Sequence, residues 1–256
     1  SQVNALKEWN GEGAVKWIES VEHCGVLVLE RLYHSPSITE LPISSAIDVY
    51  ATLLYKLGRT VDPLSCKARN WNTQNSFALE IQQNIRMQWN KLQGIIPSID
   101  SVVERCEALL EVRRTACGSF LVHYDIHDEN ILWRELPNDE SGEWVAIDPK
   151  LVIGDLEIGV AQMIWNRLEE ILEISSCPSG LMKSEQRQCF QKRIMHYLER
   201  ISSIAALNME ILLDWILLRV VDYWCWALSV GLTIDPIRCQ VIVQVLYPDI
   251  YGYNES

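Results

Sequence analysis

The run "LVHYDIHDENILW", Leu121 to Trp133, sets His123, Asp125, His127, Asp128, Glu129 and Asn130 inside an otherwise apolar frame. Polar groups this dense are costly to bury unless each is bonded, so the run marks either a site or an ordinary polar turn. His123, Asp125 and His127 alternate, and in an extended chain all three would face one side. Imidazole and carboxylate suit zinc or iron, which would make the trio the centre of a metal-dependent hydrolase. Such a site needs a further ligand, and His34 and His196 do not stand in ligand-like settings.

Spacing offers a second chemistry. Asn130 follows Asp125 by five residues, and the strand-like "WVAIDP" then supplies Asp148. Phosphoryl transfer needs this set: one carboxylate to orient an acceptor hydroxyl, and an amide oxygen with a second carboxylate to hold Mg²⁺ against nucleotide phosphates. Protein kinases place these roles in H-R-D-x-x-x-x-N and D-F-G. Here "HYDIHDEN" keeps the first spacing and "AIDP" stands where the second would be.

The flanking segments must position these groups. A helix is expected from Val3 to Trp9, ended by Asn10-Gly11, followed by strands in "AVKWIE" and "VLVLERL" with a short loop at His23–Gly25. "ISSAIDVYATLLYKLG" puts Ile43, Ala46, Ile47, Tyr50 and Leu54 on one helical face, closed by Gly58. Two more amphipathic helices follow in "SFALEIQQNIRMQWNKLQG" and "SIDSVVERCEALLEVRRT". "SFLVHYD" and "WVAIDP" read as short strands, with a turn at 136–143. Beyond Gly154 the pattern predicts helices in "LEIGVAQMIWNRLEEILEI", in "SEQRQCFQKRIMHYLERIS" and over about 210–231.

Bulk properties narrow the partners. The chain has 256 residues, 48% of them hydrophobic, enough for a substantial core. A net charge of −12 disfavours nucleic acid and suits a cationic small molecule. The most apolar stretch, "WILLRVVDYWCWALSVGL", contains Arg219 and Asp222, so it reads as a buried helix carrying an internal ion pair and not as a membrane span. Eight cysteines without a CxxC pair read as reduced, mostly buried thiols of a cytoplasmic protein.

"HYDIHDENILW…WVAIDPKLVIGD" resembles the aminoglycoside/hydroxyurea antibiotic-resistance kinases, especially the aminoglycoside 6-phosphotransferases that modify streptomycin. "ALKEWNGEGAV", "VLVLERL" and "LLDWILLRVVDYWCWALS" extend the likeness over nearly the whole chain, in order. The resemblance implies an α+β, protein-kinase-like fold. Residues 1–33 would be a remnant of a truncated β N-lobe. Residues 34–256 would form a mostly helical C-lobe, with the catalytic loop and metal-binding hairpin at 118–155. It implies ATP-dependent transfer of the γ-phosphate to a hydroxyl of a streptomycin-like antibiotic, with ATP and Mg²⁺ as cofactors. Asp125 would be the catalytic carboxylate, and Asn130 and Asp148 the Mg²⁺ ligands. Glu30, Arg31 and Leu32 would form the hinge beside adenine, and His127 would lie near the phosphates. Asp155 and Glu157 would be the substrate acids. Lys150 reads as an exposed lysine.

Three departures stand out. Tyr124 replaces the glycine of the family's HGD, and Gly159 stands where many relatives carry an aspartate that braces the catalytic loop. A Gly-rich loop and strand lysine for the phosphates are also missing; Lys16 follows Gly13 too closely to serve. The chain is therefore expected to lack about fifty residues of the family's usual front, and a catalytically degenerate, kinase-like binding protein is the alternative reading.

Overall fold

A computed structural model describes residues 2–61, 71–93, 99–116, 118–136 and 142–251. Helix α1 (Gln2–Trp9) buries Ala5, Leu6 and Trp9, one face of two turns. Its indole is pinned where Trp9 Nε1 donates to the Leu57 carbonyl at 2.9 Å. Strands β1 (Trp17–Val21) and β2 (Val26–Leu29) pair antiparallel. The expected strand in "AVKWIE" thus begins at Trp17.

Helix α2 (Ile43–Leu57) buries Ala46, Ile47, Tyr50 and Leu54 of the expected face, leaves Ile43 half-buried, and also buries Ala51, Leu53 and Leu57. Gly58 caps it by donating its amide to the Leu54 carbonyl at 3.0 Å and not by a left-handed turn, since its φ is −70°. Strand β3 (Arg59–Thr60) then pairs with β4 (Phe120–His123), which pairs antiparallel with β7 (Leu151–Gly154). β5 (Ile131–Arg134) and β6 (Glu143–Ala146) form a separate hairpin. Bridges from Ala14 to Ala146 and from Tyr33 to Trp133 tie that hairpin to the front of the chain. Of the expected turn at 136–143, residues 137–141 lie outside the described residues.

Helices α3 (Gln74–Leu92) and α4 (Ile99–Thr115) pack on each other and on the long helix α8 (Met209–Ser229). Helix α7 (Ser184–Ala205) packs against α2. Helix α8 buries Leu212, Trp215, Ile216, Leu217, Leu218, Val220, Val221 and Trp224, and is capped where Asn208 Oδ1 accepts from the Glu210 and Ile211 amides. Among the described residues no helix is long and apolar enough to cross a membrane. Among the described residues six cysteines are free thiols; Cys106, Cys225 and Cys239 are buried, whereas Cys24 and Cys189 are exposed.

One further expectation differs from the structure, and two elements were not expected. The helix read across 156–174 is three pieces: a 3₁₀ turn (Leu156–Gly159), α5 (Ala161–Asn166) and α6 (Leu168–Leu172). The break falls at Arg167, whose buried guanidinium reaches the Leu41 carbonyl at 3.2 Å and Glu170 at 2.5 Å. β7 was not foreseen, because "LVIG" shows no alternation when both faces are covered. A final helix, α9 (Asp235–Leu246), packs on α8 and has almost no apolar stripe because it is buried nearly all round.

Trp9 joins α1 to α2 through a fully buried ring and an indole bond. Trp9→Ala is expected to destabilise the chain by about 3–5 kcal/mol, measured by urea unfolding.

Candidate active site

β4 ends at His123, and the chain leaves the sheet there as a turn at Tyr124–Asp125 followed by a 3₁₀ turn at Asp128–Asn130. The alternation His123-Asp125-His127 is therefore not displayed on an extended strand. His123 is buried, and both ring nitrogens are in use. Nδ1 accepts from the Asp125 amide at 3.2 Å, so Nε2 carries the proton and donates to the Ile147 carbonyl at 3.0 Å. Neither nitrogen is left for a metal. Among the described residues no group of three or more His, Cys, Asp or Glu could hold one. The hydrolase reading fails on this geometry.

His123 instead ties two acid-bearing segments together, one leading to Asp125 and the other to Asp148. Burial pushes its pKa from 6.5 down to about 4, against the opposing pull of the Ile147 bond and of Asp125 and Asp148.

Asp125 is largely buried, and its Oδ2 pairs with Lys150 Nζ at 2.6 Å. That bond raises the Lys150 pKa, so the lysine stays charged. Lys150 was read as a plain exposed lysine; its side chain is half exposed, but the ammonium end is anchored. No one-dimensional signal marks this, because the contact depends on the strand that follows Pro149.

The Asn130 amide nitrogen donates to the Asp125 carbonyl at 2.9 Å and lies 2.9 Å from His127 Nε2. The carbonyl partner fixes the amide's orientation and leaves Asn130 Oδ1 without a bond among the described residues. Asp148 is exposed and sits at φ +46°, a left-handed position that turns the chain sharply after β6. Gln2 Nε2 donates to Asp148 Oδ1 at 2.9 Å, bringing the first turn of α1 to this carboxylate.

Two cavities flank these groups. An apolar one of 320 Å³ is lined by Leu6, Val15, Leu29, Glu30, Leu32 and Asp148, among others. The Arg31 and Leu32 amides have no partner among the described residues, whereas the Glu30 carboxylate accepts from Arg134 at 2.6 Å. Arg31 is exposed, 5.8 Å from the Tyr33 ring. The other cavity is a 790 Å³ cleft lined by Asp125, His127, Asp128, Lys150, Arg219 and Asp222 and by the rings of Tyr124, Trp165, Tyr223 and Trp226.

Asp155 and Glu157 line neither cavity. Asp155 Oδ2 accepts from Trp215 Nε1 at 2.8 Å and Gln74 Nε2 at 3.1 Å, and Arg113 lies 3.9 Å away. Glu157 is buried and caps the Asn208 amide at 2.8 Å. Both lock α8 to the end of β7. The expected Arg219–Asp222 ion pair is not a direct contact either. Asp222 accepts from Asn84 at 3.0 Å, and Arg219 donates to the Tyr124 carbonyl at 3.2 Å.

The two departures at Tyr124 and Gly159 now have a physical account. A Cβ at Gly159 would lie 2.8 Å from Leu54 Cδ1 and 3.3 Å from the His123 carbonyl, and the Tyr50 hydroxyl donates to the Gly159 carbonyl. An acidic side chain there would have to displace the Leu54 side chain and crowd the His123 carbonyl. The polar loop is held from α8 instead, by Arg219 on the Tyr124 carbonyl and over the Tyr124 ring at 5.1 Å.

The low His123 pKa has a consequence for stability. The unfolded imidazole protonates near 6.5 and the folded one near 4, so the contribution of neutral His123 is present above pH 6.5 and is lost as pH falls to about 4. The full loss is on the order of 3 kcal/mol. Unfolding free energy measured from pH 7 to pH 4 is expected to fall less steeply for His123→Asn than for the parent, by about one proton.

The aminoglycoside/hydroxyurea antibiotic resistance kinase family matches residues 2–231. A hydroxyurea phosphotransferase of Kitasatospora aureofaciens is 24% identical over 247 residues, covering 94% of this chain and 62% of that protein. A streptomycin 6-kinase of Streptomyces griseus is 21% identical over 237 residues, covering 89% of this chain and 66% of that protein. The chain thus spans just under two thirds of the length of these relatives. Among solved structures, an ethanolamine kinase of Plasmodium vivax has a TM-score of 0.56 at 12% identity, covering 99% of this chain and 73% of that one, which shows a kinase-like fold. With the family match running through α1, the 123–130 loop, Asp148 and the whole of α8, the chain belongs to the aminoglycoside/hydroxyurea antibiotic resistance kinase family.

Proposed function

We propose that the chain carries the catalytic machinery of an ATP-dependent phosphotransferase that modifies a hydroxyl of a small, streptomycin-like antibiotic and so inactivates it. One observation carries this reading. A neutral, doubly bonded His123 holds the Asp125 segment at the 790 Å³ cleft and the Asp148 segment at the apolar 320 Å³ cavity. The small cavity, lined by Glu30 and by Leu32, whose amide has no partner among the described residues, suits a flat heterocycle such as adenine. It lies where residues 1–33 meet residues 34–256, the division we propose between a partial N-lobe and the C-lobe.

The residues also fit Mg²⁺. Asn130 Oδ1 is free among the described residues and Asp148 is an exposed carboxylate, both hard oxygen donors. Mg²⁺ demands few protein ligands and keeps several waters, so two suffice. When bound, it neutralises charge on the nucleotide phosphates.

Asp125 takes the role of orienting the acceptor hydroxyl and receiving its proton. The hydrogen bond that its backbone N–H donates to His123 fixes the loop, and Lys150 keeps a positive charge beside the carboxylate. The long lysine stem, half exposed, allows the ammonium to leave Asp125 when an acceptor enters. His127 holds the Asn130 amide, so its part is to aim the Asn130 oxygen.

The test is Mg·ATP binding and phosphate transfer to streptomycin, measured on the parent chain, Asp125→Asn, Asp148→Ala and Lys150→Met. Asp125→Asn is expected to cut kcat by about a hundred- to ten-thousandfold with little change in nucleotide affinity. Asp148→Ala is expected to weaken Mg·ATP binding. Lys150→Met is expected to cost roughly tenfold in kcat, the worth of one charge-assisted bond. Nucleotide binding without transfer would instead support the degenerate binding protein. No nucleotide binding would overturn both readings.

A further inference from the structure

One wall of the 790 Å³ cleft is a ladder of three aromatic rings. Trp165 from α5 stacks on Tyr223 of α8 with centroids 4.5 Å apart and planes 7° apart. Tyr223 stacks in turn on Trp226, one helical turn on, at 5.4 Å and 22°. The ladder runs outward. Trp165 is 2% exposed, but Trp226 is 52% exposed at the cleft wall. Core packing accounts for Trp165. It does not account for a stacked indole left open to water in the cleft that Asp125 also lines.

The inner end shows what these rings accept. The Arg219 guanidinium lies 5.9 Å from the Trp165 ring, 5.1 Å from Tyr124 and 5.4 Å from Phe77. It is a planar cation held on ring faces whose quadrupole is negative. The outer ring, Trp226, has no such cation over it among the described residues. Asp128, Glu129 and Asp222 line the same cleft and favour positive charge. Its cations are otherwise engaged, Lys150 with Asp125 and Arg238 with Glu169 at 2.9 Å.

We propose that the open face of Trp226 is a subsite for a planar, guanidinium-type group on the molecule that brings its hydroxyl to Asp125. A guanidinium can lie flat on the indole while its in-plane N–H groups reach the acids; an alkylammonium, compact and strongly hydrated, gains less from the ring. The subsite thus selects guanidinium-bearing over ammonium-only acceptors. The inference rests on the reading of this cleft as the acceptor site, but its test needs no phosphate transfer.

Streptomycin, which bears guanidinium groups, and kanamycin, which bears only ammonium groups, are titrated calorimetrically into the 256-residue parent, Trp226→Leu and Trp226→Phe. Trp226→Leu keeps apolar bulk but removes the ring, and circular dichroism with thermal melting checks that each variant is folded. Expected is a roughly tenfold weaker affinity for streptomycin in Trp226→Leu, less than threefold in Trp226→Phe, and unchanged kanamycin affinity. Equal streptomycin affinity in parent and Trp226→Leu overturns the proposal. So does an equal loss for both drugs, or a loss in Trp226→Phe as large as in Trp226→Leu. Absence of streptomycin binding to the parent also overturns it, while Mg·ATP binding would still stand for the phosphotransferase reading.

Discussion

A buried imidazole with one proton holds the polar centre of this molecule together. His123 accepts from the Asp125 amide and donates to the Ile147 carbonyl, so one ring fixes the start of the loop and the approach to Asp148. A protonated ring could not accept, and the other tautomer would turn a donor toward an N–H. Burial enforces the neutral form by making charge expensive. Trp9 lies 6.3 Å from the ring, nearly parallel, so α1 closes over the same point. The distance between the two carboxylate segments is thereby set by packing and one tautomer, not by a flexible linker.

Helix α8 supplies the second constraint. Its apolar faces bury it against α3, α5 and α9, and three of its polar groups fasten it to other elements. Trp215 bonds Asp155 at the end of β7, Asp222 bonds Asn84, and Arg219 holds the Tyr124 carbonyl. The bulky residue in the loop's glycine position is part of this arrangement, since its ring gives Arg219 a face to lie on. The loop is braced from the helix, while Gly159 is close-packed against Leu54 and the His123 carbonyl.

Much of this was legible in one dimension. The period of Ile43–Leu57, the turn after Trp9 and the apolar run of α8 gave those helices within a residue or two. The joint spacing of Asp125, Asn130 and Asp148 marked the polar centre, and the structure brings those segments together around His123. The acids were harder. Asp155 and Glu157 follow Asp148 closely and looked available, but they are the acceptors that fasten α8. Proximity in sequence says nothing about which side of a strand end faces solvent. The continuous helix read over 156–174 failed because the period survives across Arg167, while the guanidinium's carbonyl partners at Ile38 and Leu41 are 129 and 126 residues upstream.

By itself the sequence determined the helical periods, the apolar mass that must be buried and the order of the polar residues along the chain. These follow from local geometry and composition, which neighbouring residues alone decide. Tertiary structure decided which acids are free, which lysine is paired and which tryptophan faces the cleft. Lys150 meets Asp125, Arg219 meets Tyr124, and Trp226 ends a ladder begun by Trp165 on another helix. Each of these joins elements whose distance in space is fixed only when the whole core closes, so no local pattern could carry it.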